Sequence, residues 1–278
     1  VLNFPRIFAG LILSILIGAA AYWRGSLTRS GWLGAIITGT LTFGFGGWTW
    51  GLTLIAFFLS SSALSHFRQA AKQAIAGDKF EKSGRRDLGQ TLANGGAGAA
   101  LALAYGLSGE PIALLAAFVG VIATVTADTW ATEIGVLSPR PPRLITSWRT
   151  TEPGASGGVT TYGLLASSAG AITIGCVALV MAAIELGGWL TWLLPAALLG
   201  GLAGSLTDSL LGATVQAIYR APNGGATERR ATADGAPNAT LRGWRWMNND
   251  MVNMLSSVAG GLVAVGLLLL IGNENAWR

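Results

Sequence analysis

The chain has 278 residues, of which 51% are hydrophobic, 11% are charged and forty are glycine. A soluble domain carries about 25% charged residues, and its apolar runs stop well short of the ~20 residues that cross a bilayer. A mean hydropathy of +0.53 with repeated runs of that length excludes the soluble class and makes this an integral membrane protein. The net charge of +5 does not point to nucleic acid, because the cations flank apolar runs and no helix-turn-helix, finger or RNA-binding signature is present.

Eight spans are predicted, over 5–22, 32–47, 48–65, 88–106, 111–136, 160–184, 189–216 and 250–271, which gives an all-α, polytopic fold in a single domain over 1–278. The first run lacks a convincing cleavage site and reads as a span rather than a signal. Gly46-Gly47-Trp48 couples the second and third spans as a hairpin or a re-entrant pair. Trp23, Trp48, Trp50, Trp189, Trp192 and Trp277 fall near span ends, where interfacial aromatic belts form. Cys176 is the single cysteine, so no intramolecular disulfide exists.

The segments 23–31, 66–86, 137–159 and 217–249 hold sixteen of the eighteen Lys and Arg. With eight spans these four segments share one side, leaving only Arg6 and Arg278 on the other. The positive-inside rule then places the basic loops in the cytoplasm or its stromal equivalent, with both termini on the opposite side. The segment 221–240 is rich in Gly, Pro and Asn and reads as a mobile loop.

Polar groups gather at the basic ends of the spans. Asp87, Gln90 and Asn94 stand at i, i+3 and i+7, on one face of the fourth span. Asp87 also suits a helix start, but Asn94 lies two turns deep. The fifth span ends in Ala127-Asp128-Thr129-Trp130-Ala131-Thr132-Glu133. An ionised group in a bilayer persists only against a cavity, a partner or a metal. Asp128 and Thr132 stack at i, i+4, whereas Glu133 lies about 140° away round the helix. The two carboxylates therefore meet only in a pocket that wraps the helix end, or where the helix breaks near Gly135.

The next loop reads Gly154-Ala155-Ser156-Gly157-Gly158, and a span follows at once. Its amides suit an anion at a helix N-terminus, although no Lys-Ser/Thr pair makes it a Walker A loop. Ser205, Asp208, Gly212 and Gln216 form a stripe in the seventh span, with Ser209 beside it. Glycines there also suit close helix packing. Asn249, Asp250 and Asn253 open the eighth span, and capping explains one of the first two but not Asn253.

Acids alone would repel an anionic substrate. Acids with arginines and a glycine loop make sense if Mg²⁺ bridges protein and polyphosphate, and phosphoryl transfer needs mainly positioning, metal and cationic clamps. The lone histidine, His66, reads as interfacial.

Taken with Glu81-Lys82-Ser83-Gly84-Arg85-Arg86-Asp87 and Asn94-Gly95-Gly96, these motifs resemble the membrane family of domain of unknown function ninety-two. That family includes the plant chloroplast phytyl-phosphate kinase and the animal transmembrane protein nineteen. The resemblance covers nearly the whole chain, and Asp128-Thr129-Trp130-Ala131-Thr132-Glu133 is its most specific part. It implies a kinase converting an isoprenoid monophosphate, phytyl phosphate first, to the diphosphate with CTP or another nucleoside triphosphate, feeding tocopherol or phylloquinone synthesis.

The candidate catalytic residues are Asp87, Asp128, Glu133 and Asp208, with Asp128, Asp208 and Asp250 expected to hold Mg²⁺ and Glu133 to orient its outer sphere. The Ser156-Gly157-Gly158 turn with Lys82, Arg85, Arg86 and Arg140 is expected to hold phosphates. Gln90, Asn94, Thr132, Ser205, Ser209 and Gln216, with Asn249 and Asn253, complete the expected substrate and nucleotide site. Two other classes stay open: a transporter of an anionic or ion-coupled substrate, and a lipid cytidylyltransferase or alcohol phosphotransferase. The acids gather at one face rather than the midplane, and the Asp-x-x-x-Asp run usual in alcohol phosphotransferases is missing.

Overall fold

A computed structural model describes residues 3–77, 79, 84–232 and 234–271. Its long helices are α1 (Phe4–Trp23), α2 (Arg29–Gly46), α3 (Trp48–His66), α5 (Leu88–Leu107), α6 (Ile112–Gly135), α7 (Thr161–Leu186), α8 (Leu193–Thr214) and α9 (Asn249–Ile271). The short α4 (Gln69–Ala76) lies between α3 and α5. Each predicted span corresponds to one long helix. Six of them, all but α2 and α5, are long and apolar enough to cross a membrane by length and composition. Glycines and hydroxyl or amide side chains dilute the hydropathy of α2 and α5.

Local chemistry sets the helix starts. Side chains of Asn3, Thr28, Thr160 and Asn248 accept from the N–H groups of Arg6 (3.0 Å), Gly31 (3.0 Å), Gly163 (2.9 Å) and Met251 (3.0 Å). Each such cap contributes about 1 kcal/mol.

Between α2 and α3 stands Gly47 alone, at φ +91°. Arg6 donates to the carbonyls of Gly44 (2.9 Å) and Phe45 (3.0 Å) at the end of α2. Glu185, at the end of α7, accepts from the N–H groups of Trp48 (2.9 Å) and Thr49 (2.7 Å) at the start of α3. A cation on carbonyls and an anion on amides both oppose the helix dipoles. A Cβ on Gly47 would sit 2.3 Å from Glu185 Oε1, so glycine is required. The tight Gly47 link is the close coupling of α2 and α3 that the sequence predicts.

The centre is α6. In its most apolar stretch 72% of residues are buried, against 17–39% in the other five helices of that class. It packs against α3, α5, α7, α8 and α9, and as an all-round apolar helix it has no face to give to lipid. Trp50 departs from its expected interfacial place. It is 1% exposed, with its ring centroid 4.2 Å from Phe118 of α6 and 4.8 Å from Tyr105 of α5. Trp23, Trp48 and Trp189 are exposed as expected, Trp192 is half-buried, and Trp277 lies outside the described residues.

All four basic segments meet at one end of the bundle. Arg86 N–H donates to Ser26 O (2.9 Å), Glu228 N–H to Lys79 O (2.8 Å), and Lys79 pairs with Glu152 (2.6 Å). Two small antiparallel ladders brace these loops. One joins β1 (Arg143–Leu144) to β2 (Gly158–Val159). The other has the order β4-β3-β5, from β3 (Ile218–Arg220), β4 (Ala226–Thr227) and β5 (Ala239–Arg242). Strands thus occupy part of the segment that composition marked as a loop.

Backbones touch where α6, α8 and α9 cross. A Cβ on Gly260 would lie 1.9 Å from Thr124 Oγ1, whereas one on Gly266, a turn and a half further on, would meet nothing within 4 Å. Gly260→Ala is expected to destabilise the protein by about 1–3 kcal/mol through overpacking, and Gly266→Ala to be neutral or slightly stabilising. Thermal denaturation of the two variants in detergent checks this; equal midpoints would mean that the crossing relaxes freely.

Candidate functional site

A cavity of about 330 Å³ opens at the basic end of the bundle. Asp128, Thr132 and Glu133 of α6 reach it together because α6 ends at Gly135 and the cavity wraps that end, which resolves their separation round the helix. From α8 come Ser205, Asp208 and Ser209, with Gln216 just beyond the helix; α5 contributes Gln90 and Asn94. Asn249, Asp250 and Asn253 of α9 complete the wall, and Asn248 supplies the helix cap.

Hydrogen bonds tie these helices across the cavity. Asn253 Nδ2 donates to Asn94 Oδ1 (3.4 Å), Ser256 Oγ to Asp208 Oδ2 (3.2 Å), and Ser167 and Ser205 share a bond of 3.0 Å. The Ser156-Gly157-Gly158 turn lines the cavity as expected. Its glycines also have packing reasons: a Cβ on Gly157 would lie 2.4 Å from Ala213 Cβ at the end of α8. The Gly158 N–H is used inside the turn on Ala155 O (2.9 Å), so it is not a free donor for a phosphate.

Three expected site residues stand elsewhere. Asp87 caps α5: its carboxylate accepts from Gln90 N–H (3.0 Å), Gln90 Oε1 accepts from Asp87 N–H (3.3 Å), and it does not line the cavity. Arg85 turns away to the carbonyls of Leu27 (3.0 Å) and Tyr22 (3.3 Å), over the Tyr22 ring. Arg140 is exposed on its loop and outside the cavity lining. Lys82 lies outside the described residues. The expected triad of Asp128, Asp208 and Asp250 lines one cavity, but among the described residues no three acidic, His or Cys side chains form a ready-made metal cluster.

The structure adds charged residues that sequence reasoning passed over. Lys72 of α4 is buried and paired with Glu133, and its Nζ also donates to the carbonyls of Leu64 (2.7 Å) and Ser65 (3.1 Å). Ser65 Oγ donates to the other Glu133 oxygen (2.6 Å). The apolar positions Ala71, Ile75 and Ala76 around Lys72 were the available signal for an amphipathic helix on the membrane surface. Glu228 is the second addition. It accepts from Ser156 Oγ (2.8 Å) and Gln216 Nε2 (2.8 Å), and its charge faces Asp128 and Asp208. It sits in β-rich loop sequence with no motif around it, so only folding brings it to the site.

Burial pulls the Arg86 guanidinium below its usual pKa range, and the Glu133 carboxylate pulls it back. Arg242 behaves alike, with burial opposed by Glu228. Arginine remains cationic through such shifts. A half-buried cation of this kind is short of solvent and gains from an anionic ligand.

The family described as Integral membrane protein DUF92 matches residues 12–261. The chain belongs to that family. It is 33% identical to Protein PGR of Arabidopsis thaliana over 91% of this chain and 93% of that protein. It is 28% identical to an uncharacterised membrane protein of Methanocaldococcus jannaschii over 94% of this chain and 93% of that one. With Protein VTE6, chloroplastic, of Arabidopsis thaliana it shares 25% identity over 92% of this chain and 69% of the relative. No solved structure matches. The matched range contains every described site residue, from Ser65 to Asn253.

The Lys72–Glu133 pair keeps side-chain exposures of only 10% and 21%. Removing one partner leaves the other poorly solvated, so Lys72→Met is expected to cost about 1–3 kcal/mol, below the full buried-pair penalty because some water remains. Lys72→Met with Glu133→Gln is expected to recover at least half of that loss. A double-mutant cycle on chemical denaturation in detergent measures the coupling; additive effects would show that the pair is not a structural unit.

Proposed function

We propose that this protein is a membrane phosphotransferase that moves the γ-phosphoryl group of a nucleoside triphosphate, CTP first, onto an isoprenoid monophosphate, phytyl phosphate first, yielding the diphosphate. The family resemblance to the plant phytyl-phosphate kinase supports the reaction class, as does membership shared with a chloroplastic relative. The observation that carries it is the charge balance of the cavity, which joins Asp128, Glu133, Asp208, Glu228 and Asp250 to only two described cations, Lys72 and Arg86. Such a wall repels a bare polyphosphate, so a phosphate ligand must enter with a divalent cation.

The donors fit Mg²⁺. Carboxylates, amides and hydroxyls line the cavity without His or Cys, an oxygen set suited to a hard cation. Mg²⁺ retains waters and takes only one or two carboxylates beside phosphate oxygens, so a pre-built triad is not needed. Asp128 and Asp208, which face each other closely enough to repel, are the residues that would hold it, with Asp250 at the same cavity. When bound, the metal neutralises charge on the transferring phosphoryl group.

The chain's own groups do the positioning. Arg86 draws phosphate oxygens to the side of the cavity nearest α3, where Lys72, already held by Glu133 and two carbonyls, offsets the charge of Glu133. Asn94, Asn253 and Asn249 offer amide donors that orient without adding charge. The acceptor oxygen belongs to a phosphate already ionised at neutral pH. It bonds to the γ-phosphorus as the bond to the nucleoside diphosphate breaks, and no general base is required. The positive-inside rule puts the basic end, and with it the cavity, on the side where nucleoside triphosphates are available.

Purified protein with Mg²⁺, CTP and phytyl phosphate is expected to release CDP and phytyl diphosphate in equal amounts. Neither product across several nucleotides and prenyl phosphates, with substrate flux in liposomes instead, would replace the kinase with a transporter. Pyrophosphate or CMP as product would point to the cytidylyltransferase class. Asp128→Asn is expected to lower turnover about a hundredfold or more while the protein still folds and binds lipid phosphate. An active Asp128→Asn enzyme would remove that residue from the metal site.

A further inference from the structure

A second cavity, about 90 Å³ and almost wholly apolar, runs beside the first. Its walls are α1 and α3 and its floor is α2 and α5, with Leu13, Ile17, Ala35, Leu54, Ile55 and Phe58 along its length. Arg86, Gln90 and Asn94 line both cavities, so the two adjoin at those residues. The junction is built rather than incidental. The Arg86 guanidinium stacks on the rings of Phe57 (5.8 Å) and Phe58 (5.9 Å) and donates to Ser62 Oγ (3.2 Å), which fixes a cation at the mouth of an apolar cleft.

The far end is closed by Phe43. Its ring fills the space between Gly10 of α1 and Gly51 of α3, where added Cβ atoms would lie 3.2 Å and 2.4 Å from ring carbons. From Phe58 to Gly51 the cleft follows α3 for about 10 Å at 1.5 Å per residue. Along it Leu13, Ile17, Leu54, Ile55 and Phe58 are half-buried, whereas Gly10, Ser14, Gly18, Gly51 and Phe57 are buried, so the cleft is partly open along that length.

We propose that this cleft holds the chain of the lipid monophosphate acceptor, one apolar tail at a time, with the phosphate at Arg86 and the tail running towards Phe43. Beyond that depth the tail leaves between α1 and α3 into the bilayer. The identity of the head group rests on the kinase reading; the position of the tail rests on the apolar cleft adjoining the polar cavity at Arg86. Several features match a single-chain lipid monophosphate. The cleft is small, about 90 Å³. Among the described residues its only charged lining side chain is Arg86, at its inner mouth. That end of the cleft adjoins the polar cavity. The small volume of the cleft suits one tail better than two, and the phosphate of most two-chain phospholipids is esterified on both sides.

The test uses full-length protein in phosphatidylcholine nanodiscs with geranylgeranyl monophosphate carrying a diazirine in its tail. After illumination, label is expected on residues 10–18 and 51–58, and excess unlabelled geranylgeranyl monophosphate is expected to remove it. Label on the outer faces of α7 or α9, or label in the cleft that phosphatidylcholine removes equally well, would overturn the proposal. Ala35→Phe, which fills the cleft from its floor, is expected to cut the competed labelling about tenfold, the scale of losing a few methylene contacts. It is expected to raise KM for geranylgeranyl monophosphate to a similar degree and to leave KM for isopentenyl monophosphate within about twofold. Ile55→Trp makes the same test from the α3 wall should Ala35→Phe fail to fold, and unchanged labelling in a folded variant sinks the idea. Cleft label without diphosphate formation under any nucleotide would refute the kinase and keep the tail site. Turnover with label elsewhere would do the reverse.

Discussion

The contact on which the site depends is a place where three helix backbones touch. Gly120 of α6, Gly200 of α8 and Gly260 of α9 meet so closely that a Cβ on Gly200 would lie 2.7 Å from Gly260 O, and one on Gly120 2.6 Å from the same atom. Thr124 closes the joint by sharing its hydroxyl hydrogen between Gly120 O (2.9 Å) and Gly200 O (3.1 Å). Without water between helices, association in a bilayer relies on such packing rather than on hydrophobic driving force. Asp128 stands one turn beyond Thr124, and Asp208 one turn beyond Gly204, which itself packs on Thr124. The depth and separation of the two carboxylates are therefore inherited from glycine contacts that carry no charge.

Two facing carboxylates at the end of a bundle are unstable company unless the rest of the molecule offsets them. The basic loops do this only in part. Lys79 is paired with Glu152, Arg229 donates to Gly77 O (2.8 Å), and Arg242 to Gly212 O (2.8 Å). These cations stitch loops to helix ends and leave the cavity itself acidic. A site that keeps surplus negative charge beside a few well-placed cations is poised for a ligand that brings its own positive charge. The proposed nucleotide with magnesium would answer that description better than a free anion.

Much of this was legible in the sequence because membrane spans are the strongest signal a chain can carry. The lengths of the apolar runs fixed eight helices, and the placement of Lys and Arg brought four loops to one end. Acids and amides inside those runs marked the cavity from α5 to α9. What failed was the separation of ligand groups from structural ones within a single motif. Asp87 looks like Asp128 by residue type, yet a carboxylate at the first residue before a helix finds amide donors at once and is used there. Trp50 sits near a span end like Trp48, but the burial of α3 against α6 decides which face is inside. Lys72 and Glu228 were passed over for the opposite reason: neither lies in a membrane-length apolar run, and only Lys72 has even a weak local signal, the short amphipathic pattern of α4.

The Arg85-Arg86-Asp87 run shows why residues outside the cavity still belong to its design. Arg85 binds the carbonyls of Leu27 and Tyr22, and the Arg86 backbone pairs with Ser26 O (2.9 Å) and Thr28 N–H (3.0 Å). Asp87 then starts α5 directly behind them. Gly31 permits this approach, since a Cβ there would lie 2.0 Å from Arg86 O. With the main chain held on both sides, the Arg86 side chain has one direction left, over Phe57 and Phe58 and into the junction of the polar and apolar cavities. One guanidinium thereby stands where phosphate chemistry and a lipid chain would have to meet. The flanking arginine and aspartate act by fixing that position rather than by touching a substrate.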